Sequence, residues 1–361
     1  SAVAVDPTNP SRLLAGTLKG AMIFHSFDSG KSWRRRYEPA GPKWGNDRIE
    51  ETGIAVLAFT SSGEAYAGTA NSGYLTGNTP ARGGVGILRS DDGGKSWMRC
   101  PARGFDGGAV VDLAANPRIP YHAFVATASG LYRTIDFGDS FQRVLTLSGD
   151  DPVAALAFDA GLSETVLVAS SRGVVLRSSD GGTTFDRYRP ATGGALLIRE
   201  IALASDGAEG KVYLADALGS LLFSTRPRQS WRRLPVASAC SSLEVCGDGR
   251  VYVGTFDRGL WMVGGENGVA PAAGNGCEKA ADHGVPRASP APLEAPAGGD
   301  FAAWAASPTG RGKHYLLHPM SGLLVYEAGE ARRCVPITPG EADSSTCLPE
   351  RYTALAVSEI E

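Results

Sequence analysis

Short apolar runs recur along the chain, separated by glycines and polar turns at nearly constant intervals. One set is built of small and branched residues: Ile54-Ala-Val-Leu-Ala-Phe59, Val153-Ala-Ala-Leu-Ala-Phe158 and Ile201-Ala-Leu-Ala204. A second set follows each of these, as in Leu14-Ala-Gly-Thr17, Tyr66-Ala-Gly-Thr69, Phe124-Val-Ala-Thr127, Val166-Leu-Val-Ala169 and Val212-Tyr-Leu-Ala215. A third set begins with glycine: Gly86-Ile-Leu-Arg, Gly130-Leu-Tyr-Arg, Gly173-Val-Val-Leu-Arg and Gly219-Ser-Leu-Leu-Phe. Runs this short, rich in β-branched and aromatic residues and bounded by turn formers, predict strands rather than helices.

The third strand is followed by a repeated polar box. Ser26-Phe-Asp-Ser-Gly-Lys-Ser-Trp33, Ser90-Asp-Asp-Gly-Gly-Lys-Ser-Trp97, Thr134-Ile-Asp-Phe-Gly-Asp-Ser-Phe141 and Ser178-Ser-Asp-Gly-Gly-Thr-Thr-Phe185 align without gaps. Ser224-Thr-Arg-Pro-Arg-Gln-Ser-Trp231 keeps only the ends. The residue types fit a tight hairpin: the aspartate accepts hydrogen bonds from turn amides, the glycine supplies a positive φ, and the aromatic plugs the core. The predicted unit is strand A, strand B, glycine-led strand C, box hairpin, strand D.

The glycines that lead strand C are Gly20, Gly86, Gly130, Gly173, Gly219, Gly259 and Gly322. Four of their spacings lie near 43 residues, the length of a four-stranded propeller blade, and two are about 20 longer. The expected fold is therefore all-β, one seven-bladed β-propeller of four-stranded blades spanning 1–361. Its insertions fall at 34–53 with 70–85, and at 264–299, a Gly/Ala/Pro-rich loop. Tyr352-Thr-Ala-Leu-Ala-Val357 reads as a further strand A that helps to close the ring.

Composition narrows the function. Glycine contributes 47 and proline 22 of 361 residues, a turn-rich balance that is still compatible with a packed core. The formal net charge of −3 gives no basic field for nucleic acid, and no apolar run is long enough to span a membrane. Six cysteines without a CxxC pair argue against zinc and for disulfides. Cys334–Cys347 is the favoured pair and Cys240–Cys277 the weaker one, with Cys100 and Cys246 left free. The chain begins at Ser1 without a methionine, which is read as a mature or trimmed chain lacking its leader, periplasmic or extracellular. No metal site and no cofactor are implied.

The boxes resemble the Asp-box, or bacterial neuraminidase repeat, superfamily, which includes sialidases, xyloglucan-cleaving glycosidases, sortilin-type receptors and photosystem II assembly-factor-like proteins. Ala4-Val-Asp-Pro-Thr-Asn-Pro10 followed by Leu14-Ala-Gly-Thr17 is most similar to the sortilin and xyloglucanase form of blade. The resemblance implies that Asp28, Asp92, Asp136 and Asp180 are structural, on hairpins away from the ligand face. Arg118-Ile-Pro120 matches a sialidase signature but follows two boxes instead of preceding the first, so it is expected to be an A–B turn.

Propeller topology puts A–B and C–D turns on one face and B–C turns and D–A crossovers on the other. The second face then collects Lys19, Trp44, Arg48, Tyr74, Arg172, Arg199, Asp257, Arg258 and His318 as candidate binding residues, with Arg103 among its crossover residues. The leading expectation is a non-enzymatic, assembly-factor-like module that binds a protein or glycan there. The alternative is a glycosidase or sialidase-like hydrolase, which needs two carboxylates across the sugar. Asp47, Glu50 or Glu51 against Asp216 or Asp257 would supply that pair, with Trp44 and Tyr74 stacking on sugar rings.

Overall fold

The computed structural model describes residues 2–37, 52–71, 83–147, 151–204, 211–235 and 240–255, less some single residues and short turns. Beyond these it describes the strands 260–263, 269–271, 303–305, 313–318, 322–327 and 330–335.

The described strands form seven four-stranded antiparallel sheets, each built from consecutive strands. Sheet 1 holds β1 (Val3–Val5), β2 (Leu13–Gly16), β3 (Ile23–Ser26) and β4 (Arg34–Tyr37). Sheet 2 holds β5 (Thr52–Phe59), β6 (Ala65–Asn71), β7 (Gly83–Ser90) and β8 (Met98–Arg99). In sheet 3 are β9 (Val110–Ala115), β10 (Ala123–Thr127), β11 (Gly130–Thr134) and β12 (Gln142–Thr146). Sheet 4 comprises β13 (Val153–Phe158), β14 (Val166–Ser170), β15 (Val175–Ser178) and β16 (Asp186–Tyr188). Sheet 5 comprises β17 (Ile198–Ala204), β18 (Lys211–Asp216), β19 (Ser220–Arg226) and β20 (Ser230–Pro235). Then come β21 (Cys240–Val245), β22 (Val251–Thr255), β23 (Leu260–Val263) and β24 (Val269–Pro271) in sheet 6. Sheet 7 closes the series with β25 (Ala303–Ala305), β26 (Lys313–His318), β27 (Gly322–Glu327) and β28 (Glu330–Val335).

The core lies between consecutive sheets. Leu14, Ile54 and Leu88 join sheets 1 and 2, while Tyr66, Val110 and Tyr132 join sheets 2 and 3. Phe124, Val153 and Leu176 do the same for sheets 3 and 4. Leu167, Ile198 and Leu214 fill the next junction, and Tyr213, Leu243 and Val253 the one after it. Each first strand touches the first strand of the next sheet, from β1 with β5 through to β21 with β25. Middle strands such as β10 and β14 are buried at every position, which explains their unbroken apolar runs. Outer strands such as β8 and β16 are mostly exposed and polar.

That polarity hides one outermost strand from the sequence reading. Residues 34–37, expected to begin an insertion, form β4, an outermost strand written Arg-Arg-Arg-Tyr with no apolar alternation to reveal it. The edges 52–53, 70–71 and 83–85 belong to β5, β6 and β7, and 269–271 to β24. The remainder of those tracts and Tyr352–Val357 lie outside the described residues. Gly20, Gly173 and Gly219 precede their strands instead of opening them. With φ of 77°, 85° and 89° they form the turn itself.

Candidate functional site

Two faces follow from the antiparallel order, one carrying A–B and C–D turns and the other B–C turns and crossovers. On the first, all four boxes have one hydrogen-bond plan. Asp28 Oδ1 accepts from the Ser26 hydroxyl and the Ser32 amide, each at 2.8 Å, and its Oδ2 accepts from the Ser32 hydroxyl at 2.6 Å. Asp92, Asp136 and Asp180 repeat this with Ser90 and Ser96, Thr134 and Ser140, Ser178 and Thr184. Burial pushes Asp92 and Asp136 up, but the hydroxyl and amide donors of Ser96 and Ser140 outweigh it and hold both carboxyls below their ordinary value. The Thr184 hydroxyl and amide do the same for Asp180. Each of these aspartates thus accepts hydrogen bonds from the hydroxyls and an amide of its own hairpin.

The box also fastens one sheet to the next. Its glycine takes φ of 80° to 90° in Gly30, Gly94, Gly138 and Gly182. A side-chain carbon on Gly182 would collide with Phe124 of sheet 3, and one on Gly138 would stand 2.7 Å from Cys100 Sγ of sheet 2. The residue before the box donates across the same junction. Arg89 Nη1 reaches Phe137 O and Arg133 Nη1 reaches Gly181 O, both at 2.9 Å and both 48 positions onward. Phe137 holds a strained φ of 56°, but its ring lies 4.8 Å from Tyr66 and beneath the Arg89 guanidinium.

A–B turns share the box face and have polar caps. Asn116 Oδ1 accepts from the Arg118 and Ile119 amides, and its amide nitrogen donates to His122 Nδ1 at 3.0 Å. Arg118-Ile-Pro120 is therefore the A–B turn that the sequence predicts. Burial first, then the charge of Arg133, pushes His122 down to about 4, so the imidazole is neutral and accepts at Nδ1.

The opposite face is not repetitive. Asp216 ends β18 and is fully buried, and its Oδ1 accepts from the amides of Leu197 and Leu218, both at 3.1 Å. The Ala217 amide donates to Leu197 O at 2.8 Å, and the Ile198 amide to Ser171 O at 3.0 Å. Asp151 Oδ1 in turn accepts from the Arg172 amide at 2.8 Å. The crossover into sheet 5 is thus pinned between the B–C turns of sheets 4 and 5. On this fixed strip Leu197 is 46% and Leu218 59% exposed, with Arg172 and Arg199 exposed beside them.

Of the residues singled out from sequence, Arg172, Arg199 and Asp216 come together here. Asp216 is fully buried: its Oδ1 accepts from two main-chain amides, while its Oδ2 has no hydrogen-bond partner among the described residues. Arg103 is corrected in place, because it bridges to Ser140 beside the third box, on the other face. Lys19, Trp44, Asp47, Arg48, Glu50, Glu51, Tyr74, Asp257 and Arg258 lie outside the described residues, as do Cys277 and Cys347. His318 ends β26 opposite Gly322, and Cys334 lies in β28 opposite Leu324. Cys240, expected to pair with Cys277, is a free buried thiol. Burial, then the Asp216 charge, pushes it up to about 12, so it is unreactive. The sequence reading missed Leu197 and Leu218, since two leucines in separate loops have no period to mark them.

Asp112 of β9 makes a polar contact across the otherwise apolar junction of sheets 3 and 4. Asp112 accepts from its neighbour Leu113 and, at 2.8 Å, from the Leu156 amide of β13. Burial raises it to about 6 despite those two donors.

No protein-family model matches the sequence, and no characterised protein matches it in sequence. Solved structures do. YCF48 from Cyanidioschyzon merolae superposes with a TM-score of 0.61 at 15% identity, covering 90% of this chain and 94% of that one. YCF48 bound to D1 peptide gives 0.60 at 14% identity, covering 94% and 92%. The GH74 xyloglucanase from Xanthomonas campestris gives 0.64 at 19% identity, covering 91% of this chain but 52% of the enzyme. At these identities the likeness is one of fold, and it shows a β-propeller.

Proposed function

We propose that this chain is a closed propeller of seven blades, of the Asp-box superfamily, that binds an extended segment of a protein partner through the turn face of blades 4 and 5. The observation that carries the reading is the pair Leu197 and Leu218, exposed yet held by a single buried carboxylate, Asp216. Burying a carboxylate is costly, and here its hydrogen bonds present two leucines to solvent. A preorganised apolar pair lowers the entropic cost of docking a peptide, and Arg172 and Arg199 alongside favour a segment with a carboxylate next to its apolar anchor. A structure of similar fold, YCF48, is known bound to the D1 peptide, which supports the peptide reading. The hydrolase reading has less support, because the described carboxylate proposed for it, Asp216, is fully buried and closed off from a sugar at the surface.

A displayed library of random dodecapeptides, selected on the intact chain, tests this. Enriched peptides are expected to carry an apolar residue beside Asp, Glu or the free C-terminus, and to lose about tenfold or more in affinity for Leu197→Ser/Leu218→Ser. Peptides that bind the double variant equally well overturn the proposal. So does turnover of fluorogenic glycosides that disappears in Asp257→Asn.

A further inference from the structure

Sheets 3 and 4 use one scaffold where the box meets the A–B turn. In sheet 4 the Gly181 amide donates to Glu164 O at 2.9 Å, and in sheet 3 the Phe137 amide donates to Tyr121 O at 3.2 Å. The box alignment and this shared hydrogen bond place Tyr121, Ile135 and Phe137 where sheet 4 has Glu164, Ser179 and Gly181. Polar or small residues at a solvent-facing turn are thus exchanged for large apolar ones. Tyr121 is 55% and Ile135 62% exposed, and Phe137 is half-buried. Sheet 1 also has an aromatic at the Ile135 place, Phe27, but the Lys95 ammonium caps its ring and His25 packs edge-on against it.

The strip is held from both sides. Opposite the A–B turn, the crossover out of sheet 2 runs along box 3. The Ala102 amide donates to Gly138 O and the Arg103 amide to Asp139 O, both at 3.2 Å, and the Phe141 amide donates back to Arg103 O at 2.7 Å. Ala102 and Phe137 take φ of 49° and 56°, whereas boxes 2 and 4 put glycine, Gly93 and Gly181, at the place of Phe137. Such strain persists only where the surroundings fix it, and a fixed apolar strip loses little entropy on docking. Arg118, in the same turn as Tyr121, and Arg103 are exposed, and neither guanidinium has a partner among the described residues. Asp136 and Asp139 of the box are exposed as well, Asp139 at 2.6 Å from Arg89.

We propose that this strip is the contact surface of a symmetric dimer, in which a second copy of this chain docks its own Tyr121, Ile135 and Phe137 about a two-fold axis. A two-fold contact brings a patch against itself, so the patch must carry both signs of charge around its apolar centre. This one does: the unpartnered guanidiniums of Arg103 and Arg118 on one copy meet the carboxylates of Asp136 and Asp139 on the other. An anionic lipid surface fits less well, because it attracts the arginines and repels the aspartates. Tyr121 and Ile135 supply the centre that is buried on docking. A strip this short buries less than a permanent dimer needs, so the pair exchanges with monomer, with a Kd on the order of 10–100 μM. The contact uses the box face, leaves Leu197 and Leu218 of both copies open, and does not depend on peptide binding there.

Sedimentation equilibrium of the full chain, over about 1–500 μM, is the first measurement. A monomer–dimer equilibrium is expected within that range, with hydrogen-exchange protection that grows with concentration at 118–121 and 135–141. Tyr121→Glu/Ile135→Ser gives sheet 3 the residues that sheet 4 already holds on the same scaffold. This variant should melt with the parent and weaken the dimer about tenfold or more. Arg103→Gln/Arg118→Gln should weaken it less and remove most of its dependence on salt. A chain that stays monomeric across the range, or a dimer as tight in Tyr121→Glu/Ile135→Ser as in the parent, overturns the proposal. So does a chain that stays monomeric yet sediments with phosphatidylserine vesicles and loses that binding in the same variant.

Discussion

The two faces of this propeller use aspartate in opposite ways. On the box face Asp28, Asp92, Asp136 and Asp180 repeat one pattern, each binding residues of its own hairpin within four positions. On the other face Asp151 and Asp216 reach amides about 20 positions away and tie a crossover to the turns of neighbouring sheets. The repeated aspartates make each blade and its junction. The two irregular ones position a surface. Conspicuous repetition in such a chain marks architecture, and the candidate surface lies where the repetition stops.

The largest effect is expected on the box face. Gly182→Val would force a β-branched residue to φ of 83° against Phe124, and should cost about 3–5 kcal/mol, read by chemical denaturation. A cost below 1 kcal/mol would mean that the box is not wedged into its neighbour.

Acid comes next. His25 and His122 are buried and held near 3 and 4, below the unfolded value of about 6.5. Lowered histidines leave the unfolded chain binding more protons, so their contribution is complete above about pH 6.5 and is lost as pH falls toward 4. Asp112, raised to about 6, acts with the opposite sign, its contribution falling as pH rises from about 4 to 6. The histidines outnumber it, and Tm should drop between pH 7 and 4.5, by about 2–3 kcal/mol of stability for each histidine. His122→Asn should flatten that slope in a pH series of melting curves, and an unchanged slope would contradict the neutral assignment.

Smaller is Arg133→Ala, which removes the donor to Gly181 O at the third junction. About 1–2 kcal/mol is expected, visible as faster amide exchange of Gly181 and its neighbours. Leu218→Ser on the other face should change stability by no more than about 0.5 kcal/mol in the same denaturation assay, because the side chain is 59% exposed and its anchoring amide is kept.

Much of the architecture was legible because it repeats. Boxes, glycine turns and the buried runs of β10 and β14 are local patterns, and hairpin chemistry is settled within eight residues. The outermost strand β4 escaped notice because an exposed strand written Arg34-Arg35-Arg36-Tyr37 has no alternation. Asp216 was visible as a carboxylate at a B–C turn, but not as the acceptor for Leu197, whose amide is brought to it only by packing of sheet 5 on sheet 4. The arginine fastenings were in plain view, since Arg89, Arg133 and Arg177 each precede a box, but a recurring arginine reads as surface charge until its partner 48 residues onward is known.

The most direct test of this division is the Kd of a library-selected peptide for Asp136→Ala and for Leu218→Ser, measured side by side at a temperature where both are folded. Asp136→Ala, whose cost falls on stability, is expected to keep affinity within about twofold, whereas Leu218→Ser, stable as the parent, loses about tenfold or more. Equal losses in the two variants, or a loss confined to Asp136→Ala, would contradict it.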